Sequence, residues 1–320
     1  MTPLTAAITM DVDSLQSIYK GQGNRRAEGY THAEMRMGLE TFARFLEPYQ
    51  AKTTLFLVGK DLEYFENVAP IKAMVAAGHE AANHTYSHAQ GFRLLPSDEK
   101  EKELEDMETV CRDKLGINPV GFRSPGWNIG DDALPILKRR GYLYDSSVFP
   151  TSIMPLLKLM HWYTMRERSK ADRTTMGQFN YLFASPMPYH TGLHSLAYKG
   201  KEGIVEIPLT VTPGFRLPFF ATFLVSTGLT LFQQSLRALR KALRPIQFQF
   251  HLSDFVDYNH PDLADQVPLD GQGQYVPYAL RMPLEEKMSM FRVVMDAIAE
   301  NYTFITLENW ANRFIEETRS

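Results

Sequence analysis

Among its 320 residues this chain has a single cysteine, Cys111, which excludes an internal disulfide framework and fits a reducing compartment. It has no charge excess either. The 34 Lys and Arg residues face 37 Asp and Glu, a balance that offers no broad electrostatic grip for nucleic acid. Long apolar runs are scarce. The most apolar region, Ile204–Phe232, is broken by Arg216, and the uncharged run Leu217–Gln233 contains Pro218 and several polar residues, short of a membrane span. The opening MTPLTAAITMDVD lacks a charged n-region and reaches two aspartates by position 13. No cleaved secretory signal is expected, and a cytoplasmic location is. Internal repeats and low-complexity tracts are missing too. The length allows a sizeable core, in one large α/β domain or two smaller ones.

What is present is an alternation of strand-like and helix-like segments. Thr5–Met10, Lys52–Val58, His79–Ala82, Val120–Phe122, Tyr142–Ser146, Ile204–Ile207, Ile246–Phe250 and Thr303–Thr306 read as strands. Between them, His32–Leu46, Val68–Ala77, Asp98–Leu115, Asp131–Arg140, Thr230–Leu243, Leu284–Glu300 and Glu308–Glu317 read as helices. Gly78, Gly116 and Gly141 are placed as helix stops, and Ser97 as an N-cap. Such alternation predicts parallel strands wrapped by helices, as a barrel or an open doubly wound sheet. Pro150–Gly203 breaks the pattern. Rich in Met, Tyr, Phe, Pro and His, it is expected to be a cap inserted beside the active face of a single domain spanning 1–320.

The polar residues then fall into place. Asp11 and Asp13 follow the first strand, His84 and His88 the third, and Arg123 the fourth. Asp145 ends the fifth, and His251 ends the Ile246–Phe250 strand. In parallel α/β architectures that edge gathers ligands and catalytic groups. His84 and His88 have the i, i+4 spacing of one helical face, a common way to hold zinc. Two imidazoles and a carboxylate leave coordination positions open for water and substrate. A second carboxylate can take a proton from that water, an arginine can hold this base ionised, and another histidine can protonate a leaving group. Together these parts describe metal-assisted hydrolysis of an amide or ester.

Five stretches, TMDVD, GHEAANHTYSH, FRSPGW, GYLYDSS and FQFHLSD, run in order from residue 9 to 254 and resemble the polysaccharide deacetylases, the NodB-homology group of carbohydrate esterases. The resemblance implies a distorted (β/α) barrel of about seven parallel strands. It also implies hydrolysis of an N-acyl group, usually acetyl, from an amino sugar. By position it makes Asp13, His84 and His88 the metal ligands and Asp11 the general base, held by Arg123. His251 becomes the general acid, tuned by Asp145. The backbone around Gly126 would serve the oxyanion, and Trp127 would line the sugar groove. Many members carry two adjacent aspartates in the first motif, whereas Val12 separates Asp11 from Asp13 here. Strand residues i and i+2 still face the same side. The Asp-x-Asp form resembles cytoplasmic or membrane-associated branches, including deformylases of lipid-linked aminoarabinose. Zinc suits this ligand set best, although cobalt, nickel, iron or manganese also fits.

Other readings compete. The same machinery can act on a formamide or a small cyclic amide, and a glycan-binding module can keep the fold without catalysis. His79 is assigned to structure and His260 to a loop, while His161, His190 and His194 lie in the cap with no assigned role. The basic amphipathic stretch Leu231–Pro245, within 217–245, can lie on an anionic membrane. A barrel helix with a basic solvent face is the favoured explanation.

Overall fold

The computed structural model describes residues 4–15, 32–164, 177–263 and 282–319. Its centre is β1 (Leu4–Val12), pairing parallel with β2 (Thr53–Leu57) on one side and β8 (Ile246–His251) on the other. Beyond β2 follow β3 (Glu80–Asn83), β4 (Gly121–Phe122), β5 (Tyr144–Asp145) and β7 (Val205–Glu206), all parallel. The last strand, β9 (Tyr302–Phe304), pairs with the start of β1. β6 (Tyr189–His190) adds an antiparallel edge on β7.

β1 is buried on both faces. Ala6, Ile8, Met10 and Val12 pack outward against α1 (Ala33–Leu46), α3 (Phe65–Ala76) and α9 (Leu284–Ala299). Ala7 faces inward with Phe56, Ala82, Tyr144, Val205 and Trp310, the last from α10 (Leu307–Arg319). Two-sided burial explains why such strands read as near-continuous apolar runs. The remaining helices are α2 (Gly59–Leu62), α4 (Ser97–Leu115), α5 (Leu134–Arg139), α6 (Met154–Thr164), α7 (Ala221–Thr227) and α8 (Leu229–Lys241).

The expected parallel α/β architecture is present, with two differences. Among the described residues eight strands run parallel and β6 adds an antiparallel ninth, and the sheet is a curled half-barrel whose strand order ends at β6 and β8. The segment after β7 bridges that gap, where the Gln247 N–H donates to Thr210 Oγ1 at 2.7 Å. The stretch 150–203, read as irregular, contains α6, a 3-10 turn at Phe179–Phe183 and β6. Its end therefore joins the sheet. Ser97 is not a cap but the first helical residue of α4, preceded by Pro96. The glycine stops at 78, 116 and 141 all have positive φ. α8 spends its apolar face on the core, where Phe232 stacks on Phe219 with ring centroids 4.2 Å apart. No helix among the described residues is long and apolar enough to cross a membrane.

At the floor of the curl Glu80 ties three elements together. Its carboxylate accepts from Thr54 Oγ1 (2.6 Å), Tyr144 Oη (2.5 Å) and the Glu308 N–H (2.9 Å), so it also caps α10. Burial pushes its pKa up to about 7. A carboxyl raised above its ordinary value keeps its proton in the folded state after the unfolded chain has lost it. Its contribution is full below about pH 4.5 and is lost as the pH rises through 7, on the order of 1–3 kcal/mol. The stability gap between Glu80→Gln and wild type in urea should therefore shift in favour of the variant from pH 5 to pH 8. An unchanged gap would remove the Glu80 proton as the cause.

Candidate active site

The period of two along β1 puts Asp11 on the inner face, with Thr9 before it and Asp13 just past the strand end. Register sets Asp11 opposite Phe56 of β2 and His251 of β8. Asp11 Oδ1 accepts from Arg123 Nη1 at 2.5 Å, and Oδ2 accepts from Gln249 Nε2 at 2.6 Å. Arg123, fully buried just beyond β4, donates its Nε–H to the Ser146 carbonyl at 3.0 Å and Nη2 to Ser146 Oγ at 3.0 Å. Nη1 also reaches Thr9 Oγ1 at 3.2 Å. The guanidinium lies 3.9 Å from the Phe56 ring centre. With the Gln247 amide turned so that its nitrogen donates to the Ile207 and Pro208 carbonyls, its oxygen accepts from Ser146 Oγ and from Arg123 Nη2. Burial alone would raise the Asp11 pKa. The charge of Arg123, aided by His84 and His251, overrides it and holds the carboxyl below the ordinary range.

His84 and His88 come together by a route the spacing did not suggest. No helix forms at 84–88; a loop with positive φ at Thr85 (66°) and His88 (53°) turns the two rings to 5.3 Å apart. Left-handed backbone at a β-branched residue is costly and is typical of functional sites. The loop is pinned by the Thr85 N–H to Asn83 Oδ1 (2.7 Å) and the Ala89 N–H to Thr85 Oγ1 (3.0 Å). Thr85 and Tyr86 also accept from the Gly59 and Lys60 N–H groups at the start of α2.

Asp13, His84 and His88 bring one ligand atom each to within 4.8 Å of one another, all buried. Three features fit this trio to a divalent cation. Asp13 Oδ1 is buried with no hydrogen-bond partner among the described residues. Burial, with Asp11 and Asp61 adding to the rise, pushes the Asp13 pKa up to about 7 despite the pull of His251, so its anion is under-compensated even with His88 Nε2 3.5 Å from Oδ2. His84 Nδ1 lies 2.7 Å from the Arg123 carbonyl, which fixes the tautomer whose Nε2 lone pair is available to a metal.

His251 stands across the site at the end of β8, partly exposed. Burial works against its cation, but the carboxylates of Asp13, Asp11 and Asp254 outweigh it and raise the pKa. The acidic neighbour that touches it is Asp254, whose Oδ2 accepts from the His251 N–H at 2.9 Å. Lys287 of α9 steadies the 3-10 turn Leu252–Phe255 that follows His251 by donating to the Ser253 carbonyl at 2.8 Å. Asp145, expected beside His251, has other partners. It accepts from the Ser147 Oγ (2.7 Å) and N–H (3.1 Å) and shares a hydrogen bond with Glu206. Burial, and then the Asp145 charge, pushes Glu206 far up, so this acid pair holds a proton.

Trp127 is buried against Phe149 and Phe220, with ring centroids 5.1 and 5.7 Å away. It follows Gly126, whose φ of 62° shapes the turn after Arg123. The Trp127 N–H is committed to the Ser124 carbonyl at 3.0 Å. His79 accepts the Thr53 N–H at 3.1 Å and burial lowers its pKa to about 4, in keeping with a structural residue. The sequence reading did not single out Gln247, Gln249, Ser146, Asp254 or Glu206. An inward-facing glutamine at each of two alternate positions before His251, in an otherwise apolar strand, was the available signal.

Breaking the Arg123–Asp11 pair on one side leaves a buried charge alone. Arg123→Met should lose about 3–5 kcal/mol of unfolding free energy. The double variant Arg123→Met/Asp11→Leu should recover a good part of it, as read from urea midpoints in a double-mutant cycle. Additive losses would show that the pair is not coupled.

Residues 34–144 match the family model described as polysaccharide deacetylase. Over 97 residues the chain is 36% identical to the peptidoglycan deacetylase-like protein FGM2 of Gibberella zeae, a match covering 30% of this chain and 28% of that protein. It is 27% identical over 119 residues to the peptidoglycan deacetylase of Helicobacter pylori, covering 37% and 40%. The matched stretch thus spans less than half the length of either relative. Among solved structures, a putative polysaccharide deacetylase from Mycobacterium smegmatis shares the fold over 99% of this chain and 92% of its own, with a TM-score of 0.61 and 18% identity. Puue allantoinase shares it over 96% and 89%, with a TM-score of 0.57 and 13% identity. Over residues 34–144 by sequence, and over nearly all of its length by fold, this chain is similar to polysaccharide deacetylases.

Proposed function

We propose that this protein is a divalent-metal-dependent hydrolase that removes an N-acyl group, acetyl foremost, from an amino sugar of a glycan or lipid-linked glycan precursor, working in the cytoplasm. The observation that carries this reading is the juxtaposition at one sheet edge of a fixed carboxylate paired with Arg123 (Asp11), the Asp13–His84–His88 trio and a histidine, His251, whose pKa its acidic neighbours raise. The peptidoglycan deacetylases among its relatives support an N-acetylated amino sugar as the substrate class.

Asp13, His84 and His88 would hold the ion, zinc best and cobalt, nickel, iron or manganese next. When bound, it supplies Lewis-acid polarisation and a lowered pKa for water. Asp11, kept ionised by Arg123 and with its carboxylate fixed at both oxygens, takes the proton from the attacking water. His251 delivers a proton to the departing amine from the opposite side, its pKa raised by Asp13, Asp11 and Asp254 against the effect of burial. Arg123 orients and never needs to touch substrate.

Purified protein should bind about one equivalent of metal and release acetate from N-acetylated sugars. His84→Ala should lose the metal. Asp11→Asn should keep the metal and lose about 10²–10⁴-fold in kcat, the worth of a general base. Chelation should abolish turnover, and added zinc or cobalt should restore it. Formate release alone would reassign the protein to deformylation. A wild type that binds sugar but no metal, and releases no acid, would leave only a glycan-binding module.

A further inference from the structure

β8 carries Gln247, Gln249 and His251 at alternate positions, so all three project to the concave side of the sheet. Gln247 has a structural task, bridging the Ile207 and Pro208 carbonyls to Ser146 and Arg123. Gln249 has no comparable tie to the fold. Its Nε2 donates to Asp11 Oδ2 at 2.6 Å, while its Oε1 is buried with no hydrogen-bond partner among the described residues. Only the amide nitrogen can face a carboxylate, so the oxygen cannot be relieved by turning the amide over. A buried acceptor left this way is destabilising, a cost that an apolar side chain in this strand would not incur.

We infer that Gln249 is a positioning residue for Asp11, fixing the second carboxylate oxygen so that the base keeps a set orientation toward the Asp13–His84–His88 trio. This rests on the assignment of Asp11 as the base. Arg123 grips Oδ1 and Gln249 grips Oδ2, so the carboxylate cannot swing about its Cβ–Cγ bond, and each oxygen keeps a lone pair for the incoming proton. With Gln249 gone, the carboxylate is held at Oδ1 alone and is free to turn about Cβ–Cγ, out of line with the water it must deprotonate. Small losses of alignment at a reacting group are costly in rate.

The test is Gln249→Met beside wild type, measured by steady-state kinetics on an N-acetylated sugar, metal content, thermal melting and a crystal structure of each. A positioning role predicts a kcat lower by about tenfold or more, a KM within twofold, unchanged metal content and a Tm that is unchanged or higher. The crystal structure should show the Asp11 carboxylate turned away from its wild-type orientation. An unchanged kcat would overturn the inference, as would a loss explained by metal content or Tm. If wild type itself releases no acid, the functional reading fails and the crystal structures still decide. An Asp11 carboxylate in the same orientation in both proteins would then overturn the positioning role on its own.

Discussion

The buried ion pair of Arg123 with Asp11 is the interaction on which the rest of this structure depends. All five guanidinium N–H donors are spent inside the curl: on Asp11 and Thr9 of β1, on the Ser146 carbonyl and hydroxyl beyond β5, and on the Gln247 amide of β8. Those acceptors lie on strands far apart along an open sheet. One side chain rooted at the end of β4 therefore spans the concave face and holds the half-barrel curled where no continuous strand order closes it. A buried cation is tolerated only when fully paired and hydrogen-bonded, and here that pairing also holds the Asp11 carboxyl below its ordinary pKa range. Structural need and chemical use share the same bonds.

The two ends of the curl are built for different purposes. Its floor is satisfied. Glu80 has a partner from each neighbouring element, and Ala7, Phe56, Ala82, Tyr144 and Trp310 fill the space above it. The opposite edge carries the irregularities: positive φ at Thr85, His88 and Trp127, the orphaned oxygens of Asp13 and Gln249, and two carboxyls, Asp145 and Glu206, sharing a proton. Such costs persist only where surrounding structure over-determines them. Here the two grips on the 84–88 loop, from Asn83 below and α2 beside, supply that constraint.

Much of this was legible in the chain. Strand-like runs of β-branched and aromatic residues, helix stops at Gly78, Gly116 and Gly141, and polar residues placed just after strands were enough for a parallel α/β fold and for one edge bearing Asp11, Asp13, His84, His88, Arg123 and His251. Local pattern carries that information because the period of a strand and the backbone freedom of glycine are properties of short segments.

What local pattern lacks is partner choice. The histidine spacing suggested a helix, but the rings meet through a strained loop, because contacts with α2 and Asn83 outweigh the backbone cost. The resemblance assigned Asp145 to His251 and passed over Asp254. Only the packing gave Asp254 to His251 and turned Asp145 toward Glu206. Gln249 was silent until β8 was laid against β1, with Asp11 opposite His251, bringing its amide to Asp11. The sequence by itself determined which chemical groups stand at this edge of the sheet. The tertiary structure decided which of them touch, since hydrogen-bond partners 238 residues apart are set by how the whole sheet curls and not by any stretch of chain.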